Sequence, residues 1–393
     1  METNKRLIYL DNNSTTPVDQ RVFDVMVPFF TSNFANASST HQFGVGAYES
    51  VKTARKQVAE LIGAETNEIV FTSGATEAIN IAIKGIVENY SDKGKHIVTV
   101  LTEHSAILDT CKYLEKKGYE ITYLKVMSDG LIDLNELKNS LRDDTVLVSV
   151  MYVNNETGVI QPIKEISNLA HSYNAFFMTD ATQAVGKIEV NVDELGIDLL
   201  CFSGHKIYAP KGVGALYVRQ RQNRIKIPAL FHGGGHERGL RSGTLNVPGI
   251  VALGKACELS QEEMKCNFEF IKLMRDHIES QLLLISDTFV NGNISHRLYN
   301  VTNLCFVGAD SEALIMGLSN LENNSPLIAI SNGSACTSAS IEPSHVLIAM
   351  GLDENKAFNS IRISLGKYNT IEELDIVINE IKNVVESLRL MIF

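Results

Sequence analysis

Apolar runs of strand length, separated by stretches of helical composition, constrain this chain more than any other feature of its 393 residues. Residues 68–72, 97–101, 145–150, 175–179, 199–202 and 214–218 read as strands, and 75–87, 107–117 and 163–173 as helices between several of them. Ala175-Phe176-Phe177-Met178 is apolar at successive rather than alternate positions, which fits a strand buried on both faces. The alternation implies a mostly parallel sheet covered by helices, with any ligand site at the strands' carboxyl ends. Ala47, Val51, Ala54, Val58 and Leu61 recur at helical spacing, predicting an amphipathic helix over residues 46–62 that Gly63 stops. After Gly254 the pattern changes to a long helical stretch, 255–284, and then to short strands and helices, which predicts a second, smaller domain. A chain this long favours two domains, and 45% hydrophobic residues suffice to give each a core.

With 46 acidic against 35 basic residues, the net charge of −11 argues against binding to nucleic acid or a membrane surface. No apolar run approaches the ~18 residues of a membrane span. The amino terminus carries no apolar signal segment, and six cysteines, Cys111, Cys201, Cys257, Cys266, Cys305 and Cys336, are scattered without paired spacing. A cytoplasmic, reducing location is expected. Arg219, Arg221, Arg224 and Lys226 read as a solvated strand end, with a docking site for an acidic partner as the alternative.

The chemistry concentrates where strands end. Asp180-Ala181-Thr182-Gln183 closes one buried run and Ser203-Gly204-His205-Lys206 closes the next. A lysine in that position is costly without a role. An amine and a carboxylate delivered by adjacent crossovers suit pyridoxal phosphate (PLP): the amine bonds to the aldehyde carbon, and the carboxylate keeps the pyridine nitrogen protonated so that the ring withdraws electrons. Gln183 can reach the ring's phenolic oxygen, or pair structurally with Asp180. Ser73-Gly74-Ala75-Thr76 offers backbone N–H groups and a hydroxyl to a phosphate at a helix amino terminus, or forms an ordinary capped turn. His104 ends the 97–101 strand, where it can stack on a planar cofactor and exchange protons with it, or serve as a structural donor. Asn155 lies in Asn154-Asn155-Glu156-Thr157-Gly158, a site loop or an Asx-rich turn.

His232-Gly233-Gly234-Gly235-His236-Glu237 invites a metal reading, but the glycines argue against the rigid helix that i, i+4 ligands need, so a flexible loop is expected and no metal is assigned. Thr244 is a candidate for completing a phosphate cup from a second subunit. Arg362, alternating with apolar neighbours in residues 360–366, is either a surface strand cation or the fork that binds a substrate carboxylate. With PLP implied, the second role is preferred. Cys336 sits in a run of small residues, 331–340, that can anchor no core. A thiol displayed on such a loop, with an ordinary pKa near ~8.5, is enough of a thiolate near neutral pH to attack sulfur. The other cysteines read as small core hydrophobes or inert surface residues.

Phe71-Thr72-Ser73-Gly74-Ala75-Thr76-Glu77, Ser203-Gly204-His205-Lys206, residues 232–244 and Gly333-Ser334-Ala335-Cys336-Thr337-Ser338 together carry a resemblance. Over nearly its whole length the chain resembles the cysteine desulfurases of the IscS/NifS branch, PLP enzymes of the class V aminotransferase family and fold type I. The resemblance implies a large α/β domain, 16–260, with a mostly parallel seven-stranded sheet covered by helices, and a smaller α+β domain, 1–15 with 261–393, carrying the cysteine loop. It implies that Lys206 holds PLP, that His104 stacks on the ring and shuttles protons, and that Asp180 pairs with the pyridine nitrogen. Gln183 and Asn155 then touch cofactor or substrate. Ala75, Thr76, Ser203, His205 and, across a homodimer interface, Thr244 hold the phosphate. Arg362, with Asn36, binds the carboxylate of L-cysteine, and Cys336 takes the sulfur as a persulfide. Acceptors serving iron–sulfur assembly, tRNA thiolation or DNA phosphorothioation are the implied destinations, and Cys336 is the one residue implied as a transient cluster ligand. Residues 318–330 are longer than the family's usual approach to the loop, and the carboxyl end stops short of the tail that housekeeping bacterial enzymes use to dock the scaffold.

Overall fold

The protein is described here by a computed structural model covering residues 7–221, 224–319, 326–333 and 342–391. In chain order its strands are β1 (Leu7–Tyr9), β2 (Ile69–Thr72), β3 (His96–Val100), β4 (Glu120–Leu124), β5 (Thr145–Ser149), β6 (Phe176–Asp180), β7 (Leu199–Ser203), β8 (Gly214–Val218), β9 (Thr288–Val290), β10 (Val301–Phe306), β11 (Leu327–Ala329) and β12 (Ser360–Ser364). The largest sheet has seven strands in the order β2-β8-β7-β6-β5-β3-β4. From β7 to β4 every pairing is parallel, while β8 runs antiparallel to both β7 and β2. Two reversals restore direction, so every strand except β8 ends at the same edge. The fold class is the expected α/β one.

Alternation within the strands builds two apolar layers. Phe177 and Leu200 belong to one buried cluster, and their neighbours Met178 and Cys201 belong to the other. All residues of β3, β5, β7 and β8 are buried, as their mostly apolar composition favours. The sequence reading left out β4. It is the edge strand, and its alternation of Glu120, Thr122 and apolar residues lacks the signature of a doubly covered strand.

Helix Gln42–Ile62 starts earlier than expected because the His41 ring accepts the Gly44 N–H and caps it, and it ends as expected at Gly63, which takes the left-handed conformation. It packs along helix Val247–Leu282. That second helix begins well before residue 255, so Gly254 is an interior residue and no breaker: a Cβ there would stand 2.6 Å from the Cα of Ala54. Glycine is present for close helix contact. Residue 260, the expected domain division, lies inside this one helix.

A three-stranded antiparallel sheet, β12-β10-β9, and a parallel pair, β1-β11, lie beyond it. Isolated bridges join Asp11 to Ser364 and Ser331 to Arg362, tying the amino-terminal segment and residue 331 to β12. The basic group after β8 is not a solvated strand end throughout. Arg219 is buried, donating to the carbonyls of Val192 and Ile197 and pairing with Asp193, and Arg221 pairs with Glu68. Among the described residues no helix is long and apolar enough to cross a membrane.

Candidate active site

The common edge of the seven-stranded sheet opens into a cavity of about 250 Å³ whose lining includes Ala75, Thr76, His104, Asn155, Asp180, Gln183, Ser203, His205, Lys206 and Arg362. Residues widely separated in sequence thus converge because strands β2, β5, β6 and β7 finish together. Lys206 ends a single helical turn after β7, and its Nζ donates to the carbonyls of Asn13 (2.6 Å) and Ser14 (2.5 Å). Asp180 is the last residue of β6, and its Oδ1 accepts the Thr182 N–H at 2.9 Å, which aims the side chain over the sheet edge.

Gly74 joins β2 to helix Ala75–Asn89 with φ +155 and ψ −179, a conformation essentially reserved for glycine. A Cβ there would also stand 3.3 Å from Ser203 Oγ. The N-cap residue, Gly74, has no side chain to cap the helix; Ser203 Oγ accepts the Ala75 N–H at 2.7 Å. The helix start, two hydroxyls and His205 form a cradle fitted to a phosphate. His205 accepts or donates with Thr15 Oγ1 at 3.1 Å, and burial, aided by the positive charges of Lys206, Lys211 and Lys187, lowers its pKa to about 4. It is therefore neutral near pH 7.

His104 is the N-cap of helix Ser105–Glu115: its Nδ1 accepts the Ala106 N–H at 3.1 Å. In the neutral ring this leaves the proton on Nε2. Its neighbour Glu103 is wholly buried, accepts the Met151 N–H through Oε1 and, among the described residues, leaves Oε2 without a partner. Burial pushes this carboxyl well above its ordinary pKa, and the nearby charge of Asp180 adds to the effect.

Arg362 reaches the cavity from β12 and is buried, not a surface cation. Its Nη2 pairs with Asp11 Oδ1 at 2.6 Å and its Nη1 donates to the Asn155 carbonyl at 3.1 Å, while Nε has no partner among the described residues. Asn36 and Thr244 are exposed and are not among the residues lining this cavity. Arg241 is engaged by Glu77, at 2.7 Å. The 232–237 loop is anchored rather than flexible at its end, because buried Glu237 accepts both Arg55 nitrogens and the Phe71 N–H. Cys336 lies outside the described residues; Gly333, three positions before it, lines the cavity. Cys111, Cys201, Cys257 and Cys305 are buried, with thiols pushed up by burial, and Cys266 is exposed.

The sequence reading did not single out Asn13, whose carbonyl accepts from both Lys206 and Gln183, the latter at 2.9 Å. A backbone acceptor has no side-chain signature. It also passed over Thr182, which lines the cavity and whose buried hydroxyl has no partner among the described residues. An unsatisfied hydroxyl beside Asp180 and Lys206 is what a polar cofactor would complete, so the residues present fit PLP.

The model of the aminotransferase class-V family matches residues 8–377. A cysteine desulfurase IscS of Pasteurella multocida is 52% identical over 385 residues, spanning 97% of this chain and 93% of that protein. Among solved structures, a NifS-like protein superposes with a TM-score of 0.88 at 38% identity, covering 97% of this chain and 99% of that one. SspA, solved in complex with cysteine, superposes with a TM-score of 0.78 at 38% identity over 92% of this chain and 99% of that one.

Proposed function

The chain belongs to the class-V aminotransferase family and, within it, to the cysteine desulfurases of the IscS/NifS branch, and from that premise we propose that the cavity between Lys206 and Arg362 is where it takes sulfur from L-cysteine. It is a PLP-dependent enzyme. The reading of the site rests on one observation: an amine, a carboxylate and a guanidinium from β7, β6 and β12 line the same cavity.

PLP bound here supplies an aldehyde for the amine to bond and a ring that accepts the electron pair released at the substrate's α-carbon. Lys206 is the residue to hold it, Asp180 the partner of its pyridine nitrogen, and the Gly74 turn with Thr76, Ser203 and His205 the cradle for its phosphate. Arg362 orients the substrate carboxylate, with a guanidinium already fixed by Asp11 and the Asn155 carbonyl, so little freedom is lost on binding. Lys206 and His104 are placed to move protons at the substrate's α-carbon and at the ring. The Cys336 thiolate attacks the substrate sulfur, the carbon–sulfur bond breaks, and cysteine plus the enzyme thiol become alanine plus an enzyme persulfide.

A homodimer, with Thr244 supplied to the partner's phosphate cradle, accounts for a phosphate-binding candidate that is exposed in the single chain. Sulfur then passes to acceptor proteins for iron–sulfur assembly, tRNA thiolation or DNA phosphorothioation. Mass spectrometry after incubation with L-cysteine tests the reading: added sulfur is expected on Cys336. Cys336→Ser should keep the yellow cofactor and stop sulfide release, and undiminished release from that variant overturns the assignment.

A further inference from the structure

Behind the cavity lies a second buried lysine that the reaction as derived does not use. Lys187 is 8% exposed, and its Nζ donates to Gln183 Oε1 at 2.5 Å. Gln183 Nε2 in turn donates to the Asn13 carbonyl at 2.9 Å, the same oxygen that accepts Lys206 Nζ at 2.6 Å. An unbroken chain of hydrogen bonds therefore links the two lysines. Both also line a small cavity of about 30 Å³ on the far side of Lys206.

Among the described residues Lys187 has no carboxylate partner. The acids that share its cavity are committed elsewhere: Asp19 to Arg21 and Lys367, and Glu263 to the same two cations. The remaining ionisable groups facing this region are His205 and Lys206 after β7, Arg362 on β12 with Asp11, and the phenols of Tyr208 and Tyr299. A buried ammonium that meets only an amide oxygen is costly, and hydrophobic replacement would be tolerated or stabilising if packing were its purpose. Burial, then the charges of Lys206 and Arg362, lower the Lys187 pKa to about 7, and such repulsion is mutual.

We propose that Lys187 is a positioning residue for Lys206: it fixes the Gln183 amide that shares an acceptor with the Lys206 amine, and in its protonated form its charge favours the unprotonated, bond-forming state of that amine. Resting on the assignment of Lys206 as the PLP-holding residue, the role is testable in the holoenzyme. Lys187→Met keeps the volume and removes both the donor and the charge. Losing a neighbouring cation makes a proton on the Lys206 nitrogen easier to keep, so the midpoint of the pH-dependent change in the visible absorbance of bound PLP should rise by about one pH unit. The thermal midpoint should hold or increase, and Lys187→Arg, which retains the charge, should titrate near wild type.

Borohydride reduction followed by peptide mapping separates the two levels of inference. Label on Lys206 in both proteins with an unmoved titration midpoint in Lys187→Met overturns the positioning role alone. Label absent from Lys206 in the wild type overturns the assignment of the cofactor lysine, and the role of Lys187 with it.

Discussion

The seven-stranded sheet and the three-stranded sheet place their polar residues by opposite rules. In the large sheet β7 and all of β6 after Phe176 are buried, and they carry their candidate reactive groups at or just past the last residue, Asp180 and Lys206. In the small sheet the polar groups sit inside the strands: Ser360, Arg362 and Ser364 alternate with Ile361 and Ile363, and all are buried. Asn291 Nδ2 donates to both Asn303 Oδ1 and Ser360 Oγ there, and Arg362 is locked to Asp11. Groups at a strand end can be shaped for chemistry at little structural cost. Groups inside a strand must be satisfied by the fold before they can serve a substrate.

The contrast predicts which substitutions separate activity from stability. Asp180→Asn should have the largest catalytic effect: losing an opposite charge lowers a pKa by ~1–3 units, so kcat should fall roughly 10- to 1000-fold through loss of the protonated pyridine. An asparagine oxygen can still accept the Thr182 N–H, so its thermal midpoint should stay near wild type. Arg362→Ala should injure both properties. Removing hydrogen bonds to a charged group is worth ~1.5–3 kcal/mol each, which raises KM by about ten- to a hundredfold. Asp11 left without its cation should lower stability by about 3–5 kcal/mol in denaturant titrations. Equal destabilisation by Asp180→Asn and Arg362→Ala would erase the distinction between the sheets.

The smallest effect concerns pH. His205 titrates from 6.5 in the unfolded chain down to about 4 in the folded one. The unfolded state therefore binds its proton first, and the stability this neutral histidine contributes is present above pH 6.5 and lost as pH falls toward about 4. PLP-free protein should weaken across that window in thermal melts, and His205→Gln should flatten the slope. An unchanged slope in the variant would assign the acid sensitivity to other groups.

The same contrast explains what could be read from the sequence. Buried strands that stop abruptly at Asp180 and Lys206 announce a site, because apolar strand followed by charge is a pattern that burial alone does not produce. Arg362 gave no such signal: Ser360-Ile361-Arg362-Ile363-Ser364 is the same string whether the polar face meets water or a buried network, and only Asp11, some 350 residues away (|i−j| = 351), decides between them. Gly254 misled because a glycine that precedes a helix and one that admits a neighbouring helix look alike until Ala54 is in place. Asn13 acts through its carbonyl and Lys187 through an amide, so neither advertised its position. Resemblance to known desulfurases, rather than periodicity, supplied Asn36.

Asp11 and Asn13 leave the ribosome long before β12, yet the former meets Arg362 and the strand just before them, β1, pairs with β11 at Leu327–Ala329. Loops closed over so much chain form late. The pocket thus has no complete wall until β12 has been made, and loading with vitamin-derived cofactor follows that step rather than guiding it.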